Sequence, residues 1–218
     1  DLGEKKLPTD FALWKFSPKE KKRQMEWESP WGVGFPGWHI ECSAMAMHHL
    51  GETIDIHCGG TDHIRVHHTN EIAQSEAATG KQFSRFWLHG EFLRLDGEKM
   101  SKSSGDFLTL NSLIQKGYSP LDYRYFALGS HYRNYLTFSF EALDSARQSR
   151  LALLKRAQPL TTLGTKIESP KALEWKKRFD EAVADDLNIP AALGILHSAL
   201  RDDELSAGEK GALTLDFD

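Results

Sequence analysis

The chain has 218 residues, with 27 Lys+Arg against 31 Asp+Glu and a formal net charge of -4. That length accommodates one large domain or two small ones. Its 40% hydrophobic and 27% charged content is that of a globular chain, and no apolar run approaches the ~20 residues of a membrane span, so no membrane partner is expected. Two cysteines cannot build a disulfide framework, so a reducing cytoplasm is the expected compartment, and the mild acidity supplies no overall attraction to nucleic acid.

Residues 1–38 are polar and Trp-rich, broken by Pro8, Pro18, Pro30 and Pro36. Trp14, Trp27, Trp31 and Trp38 are spaced too irregularly for one helix face, which predicts loops and short elements. Ile40 to Leu50 is helix-competent and stops at Gly51. Thr53-Ile54-Asp55-Ile56-His57 is a short β-rich run that Gly59-Gly60 is expected to end. Helical periodicity then runs from Val66 to Ala78, with Gly80 as the stop, and the alternation of Trp87, Phe92, Leu93 and Leu95 predicts one strand over Phe86–Leu95. Strand–helix–strand order over residues 40–95 argues for a parallel α/β layer. Beyond Asp122 the chain turns mostly helical. Ser139 with Glu141 opens one helix that should end by Pro159, Ser169-Pro170 opens another, Asn188 caps a third, and 159–169 is the best linker. Ser206 and Glu209 are spaced as a capping box before a last helix carrying Leu213 and Phe217. Since that helix meets no stop signal before Asp218, and Asp1 rather than Met opens the chain, the expectation is an interior piece of a longer polypeptide.

Two constellations carry chemistry. Lys99-Met100-Ser101-Lys102-Ser103 places two ammonium groups and two hydroxyls on a polar loop, able to neutralise a polyphosphate as charge develops on it. Most Lys/Ser runs are simply solvated loops. His67 and Glu71 are four apart, so on a helix both leave one face within reach of a single ion, and Cys42 can add a thiolate from another element. Taken alone, a buried cysteine and a helix-surface His/Glu pair explain the same residues. Cys58 reads as a spare, structural thiol.

Three segments in register carry a resemblance. Lys99 to Ser103 is the KMSKS signature of class I aminoacyl-tRNA synthetases. Pro36-Gly37-Trp38-His39-Ile40-Glu41-Cys42-Ser43-Ala44-Met45 resembles the PGWHIECSAM segment of the cysteinyl-tRNA synthetase family. Gly59-Gly60-Thr61-Asp62, followed by His67-His68-Thr69-Asn70-Glu71-Ile72-Ala73-Gln74, resembles that family's GG.D…HHENEIAQ stretch. Phe92-Leu93, Tyr125-Phe126 and His131-Tyr132-Arg133 continue the order, and the likeness runs from about Phe11 to the last residue.

The resemblance implies an α/β fold: the second half of a Rossmann-type parallel-sheet catalytic domain, a connecting segment and an α-helical domain, with boundaries at 1–108, 109–138 and a truncated 139–218. It implies ATP-dependent activation of cysteine and transfer to tRNA-Cys, with Zn2+ as cofactor and Mg2+ accompanying ATP. Carried over residue by residue, Cys42, His67 and Glu71 would be zinc ligands, and Trp38 would lie near the substrate cysteine. Gly60 and Asp62 would meet the ribose, Trp87 and His89 the adenine, and Lys102, assisted by Lys99, the ATP phosphates. The pattern is also broken. The family's HIGH motif and fourth zinc ligand, a cysteine near the N-terminus, have no counterpart within these 218 residues, Arg65-Val66 stands for Phe-Pro, Thr69 for Glu, and the family's anticodon-binding region is expected to lie outside them. The isolated chain is therefore expected to be inactive or severely impaired. Two other readings compete: a ligase joining cysteine to an amino-sugar inositol in mycothiol synthesis, and a non-catalytic zinc- or RNA-binding paralogue.

Overall fold

In the computed structural model, which describes residues 5–20, 22–95, 108–163 and 166–218, the Trp-rich stretch forms two short antiparallel strands, β1 (Trp14–Phe16) and β2 (Gly34–Pro36). Gly34 is required where they cross, because a Cβ there would lie 2.2 Å from the Lys15 carbonyl oxygen. Helix α1 (Trp38–Leu50) begins two residues before the expected start, straight after Gly37. Strand β3 (Ile54–Gly60) leads through a 3-10 turn (Thr61–His63) and a π turn (Ile64–His68) into α2 (Thr69–Thr79), which Gly80 closes in the left-handed conformation. Strand β4 (Ser84–Gly90) then pairs parallel with β3, from Ile54 opposite Ser84 to Gly60 opposite Gly90. A parallel pair needs such a helical crossover. Buried Ile54 and Phe83 anchor its base, and α1 packs on α2 through small polar groups: the Ser75 hydroxyl donates to Ser43 Oγ at 2.8 Å.

Two expectations about strands are corrected. Gly59 and Gly60 do not end β3 but form its last two residues, since their missing side chains let the following turns fold back against the strand. The strand foreseen over 86–95 is two strands. It breaks at Glu91, whose N–H donates to the Tyr132 carbonyl, and β5 (Leu93–Leu95) pairs parallel with β6 (Leu136–Phe138) instead.

The break coincides with a boundary, for the chain divides into two compact units, Asp1–Gly90 and Glu91–Asp218. In the second, α3 (Leu110–Gln115) and α4 (Pro120–Leu128) follow the capping hydroxyls of Thr109 and Ser119. Leu113, Phe126 and Phe138 pack against Leu143 at the start of α5 (Phe140–Thr161). Helix α5 runs two residues past Pro159, where a stop was expected. A proline in the last turn forfeits one backbone bond, while Ala157, two residues before it, is buried in place. Helices α6 (Pro170–Ala184), α7 (Ile189–Ala199) and α8 (Ala207–Phe217) start at Ser169, Asn188 and Ser206 as the sequence predicts, and Ser206–Glu209 is a reciprocal capping box. They close around Ala172, Trp175, Ala199, Leu205 and Leu213. Between α6 and α7, Asp186 and Leu187 both adopt positive φ (53° and 57°). The Asp186 carboxylate is gripped by Arg133 and by the Tyr132 hydroxyl at 2.5 Å. Among the described residues, no helix is long and apolar enough to cross a membrane.

Candidate metal centre

Cys42 lies in the second turn of α1, His67 and His68 end the π turn, and Glu71 falls in the first turn of α2. These elements bring together the three residues that the sequence singled out as ligands. One ligand atom from each of Cys42, His67 and Glu71 lies within 4.8 Å of the others. Glu71 is fully buried, yet its Oε1 has no hydrogen-bond partner and sits 3.7 Å from His67 Nε2. An orphaned carboxylate oxygen beside an imidazole and a thiol lacks the positive charge that would offset its burial. A divalent ion would supply that charge, and sulfur, nitrogen and oxygen donors suit zinc.

The protonation states agree with that fit. Burial holds His67 below the ordinary imidazole range despite the opposing pull of Glu71, so its ring is neutral and has a lone pair to offer. Burial, followed by the charges of Glu71 and Glu41, pushes the Cys42 thiol up. A bound cation reverses that balance and draws out the thiolate.

Around this triad stands a shell of histidines that the sequence reading did not pick out as one site. His39 Nδ1 is 2.8 Å from His67 Nδ1, His57 Nε2 is 2.8 Å from Glu71 Oε2, and His89 Nε2 is 2.8 Å from His68 Nδ1. Burial, together with the surrounding imidazoles, brings His68 down to about 4. The signal was present as alternation: His57 and Gly59 share one face of β3, and Trp87 and His89 share one face of β4. Reading it requires knowing that the two strands pair.

The other candidate residues distribute as follows. Trp38 is 63% exposed rather than in a core, with its ring 5.2 Å from that of His67 at the mouth of the cluster. Gly60 ends β3, where a Cβ would come 2.4 Å from Asp62 Oδ1, and Asp62 is exposed in the following turn. Trp87 stands edge-on to His57 at 4.9 Å. Cys58 is exposed on the strand, neighbouring His57 in sequence but alternating to the opposite face. Lys99 and Lys102, with the rest of the Lys99–Gly105 loop, lie outside the described residues.

Comparison with known proteins gives a consistent answer. The family model for the tRNA synthetases class I (C) catalytic domain matches residues 1–148. Cysteine--tRNA ligase 1 of Burkholderia lata is 53% identical over 201 residues, covering 92% of this chain and 42% of that protein. The Cysteine--tRNA ligase of Treponema denticola is 45% identical over 232 residues, covering 97% of this chain and 47% of its own length. The chain thus spans less than half the length of these curated relatives. Among solved structures, the Agrobacterium radiobacter K84 LeuRS–tRNA–LeuAMS complex shares the fold, with a TM-score of 0.58 at 14% identity over 88% of this chain and 31% of its own. With the catalytic-domain model covering residues 1–148, this chain belongs to the class I tRNA synthetase (C) family.

Proposed function

We propose that the chain is part of a cytoplasmic cysteine–tRNA ligase, which activates cysteine with ATP, releases pyrophosphate and passes the cysteinyl group to tRNA-Cys. The observation that carries this reading is the Cys42–His67–Glu71 triad with its orphaned Oε1. Zinc held there supplies a sulfur-preferring Lewis acid, which separates cysteine from serine by the softness of the donor atom. His67 and Glu71 fix the ligand geometry, and His39 and His57 orient them through their own hydrogen bonds. Trp38, exposed beside His67, is the residue that covers the substrate side chain in this reading. Gly60 and Asp62 are the ribose contacts, Trp87 and His89 the adenine contacts, and Lys99 and Lys102 neutralise the ATP phosphates, with Mg2+ accompanying the nucleotide. Such chemistry is positioning and charge stabilisation and needs no protein nucleophile.

In this reading residues 1–108 complete a Rossmann-type domain, 109–138 connect it, and 139–218 begin a helical domain. The test is cysteine-dependent ATP–pyrophosphate exchange with zinc and Mg2+, with serine as control. The chain alone should give little or no exchange. Adding the N-terminal half of the Burkholderia lata relative should restore exchange with cysteine only. Restored exchange with serine and cysteine alike, or none with either, would refute the assignment.

A further inference from the structure

We infer that the free face of the β5–β6 pair is a stacking platform for unpaired RNA nucleotides, built on Arg94 and Tyr135. The inference rests on the reading of RNA as a partner and names the part of that partner which docks here. Side chains alternate along a strand, so Leu95, Leu136 and Phe138 turn one face of the pair into the core of the second unit. The other face carries Arg94, opposite Thr137, with Tyr135 two residues before that threonine. All three are exposed, Tyr135 at 50%. Phe92 extends the ladder by accepting the Leu136 N–H on its carbonyl at 3.2 Å; it alternates to the same side as Arg94 and is 47% exposed.

The chemistry of that face selects its occupant. The Arg94 guanidinium lies over the Tyr135 ring, 3.3 Å from its centroid, and among the described residues it has no carboxylate partner. A ring and a guanidinium plane stack on a base, while the unpaired charge meets a phosphate. The Tyr135 and Thr137 hydroxyls add donors and acceptors beside them. An apolar partner would leave the guanidinium without a counter-charge, and a lone carboxylate would leave both aromatic rings in water. With a net charge of -4 the chain offers RNA no general attraction, so contact depends on a local cation and ring of this kind. The platform is also held in place before anything binds. The Asn134 N–H donates to the His131 carbonyl at 2.9 Å and the Glu91 N–H to the Tyr132 carbonyl at 2.8 Å. The Tyr132 hydroxyl and Arg133 then tie the segment to Asp186. Side chains ordered in advance lose less freedom on binding.

The experiment titrates the 218-residue chain into a dye-labelled short single-stranded RNA and into a blunt RNA duplex, following fluorescence anisotropy over a range of salt. The single strand should bind about tenfold more tightly than the duplex. Tyr135→Ala and Arg94→Ala should each weaken that binding about tenfold, and Arg94→Ala should also reduce the salt slope by about one. Tyr135→Phe, which keeps the ring, should bind as the wild type does. Equal binding of both RNAs, an affinity that neither alanine variant changes, or no binding at all overturns the platform. Where an alanine variant fails to fold, a fluorescent aminopurine base in the strand decides the matter. Quenching by the wild-type chain supports stacking, and undiminished emission overturns it. None of these failures touches the ligase reading, which cysteine-dependent pyrophosphate exchange tests without RNA.

Discussion

Glu71 shows how much a single buried carboxylate can organise. Its two oxygens face different histidines, and one of them has no hydrogen-bond partner. Replacing it by Gln keeps the shape but removes the charge that holds a cation. Glu71→Gln should therefore bind zinc at least tenfold more weakly, measured by competition with a chromophoric chelator, while its circular dichroism stays native; unchanged affinity would remove Glu71 from the ligand set. Gly59 makes a steric counterpart. A methyl group there meets two imidazole rings at 2.6–2.8 Å. Gly59→Ala should therefore cost about 1–3 kcal/mol in denaturant unfolding. A cost within 0.5 kcal/mol, the scale of a neutral surface change, would mean that the rings move aside freely. Legibility at this scale was uneven. Cys42, His67 and Glu71 stood out because an i, i+4 pair and a cysteine are a known ligand vocabulary. His39, His57 and His68 did not, because a histidine's partner is set by strand pairing and crossover rather than by near neighbours.

Among the elements, the helices of the second unit were the easiest to foresee, because Ser169, Asn188 and Ser206 act on backbone amides three residues away. The strands were harder, since β5 takes its partner from far along the chain and nothing near Phe92 announces the break. The corner between α6 and α7 is held in the same long-range way. Two non-glycine residues at positive φ are unfavourable on their own and persist because Arg133 and Tyr132 fix the Asp186 carboxylate. Arg133, the larger influence, and Tyr132 bring that carboxyl down to about 2. Because the folded value lies below the unfolded one, the stabilisation is fully present above about pH 4, the unfolded carboxylate value, and is lost as pH falls toward 2. Melting curves across that window should therefore drop more steeply for the wild-type chain than for Asp186→Asn; parallel curves would mean that the grip contributes nothing.

For the whole chain, the division at Gly90–Glu91 places every candidate metal ligand in the first unit. Zinc that binds only the folded form stabilises what it touches, by about 2.7 kcal/mol at a hundredfold excess over its Kd. Hydrogen exchange should therefore slow on adding zinc in α1, β3 and α2 and stay unchanged in α6, α7 and α8. Equal protection in both units would show that they unfold as one. The parallel α/β layer was legible over residues 40–90 because strand, helix and strand follow one another there. The unit boundary was not, because the residues that end one sheet and begin the next read as a single apolar run.

The π turn at Ile64–His68 has a consequence for inheritance. Its widened loop is one residue more than an α-helix would use over the same rise, and that surplus residue aims two adjacent imidazoles into the interior. No replacement of a side chain can undo such an arrangement as thoroughly as the deletion of one codon. Each residue removed turns everything upstream by about 100° about the helix axis. A descendant that kept Cys42, both histidines and Glu71 letter for letter but dropped one residue of this turn would therefore lose the centre.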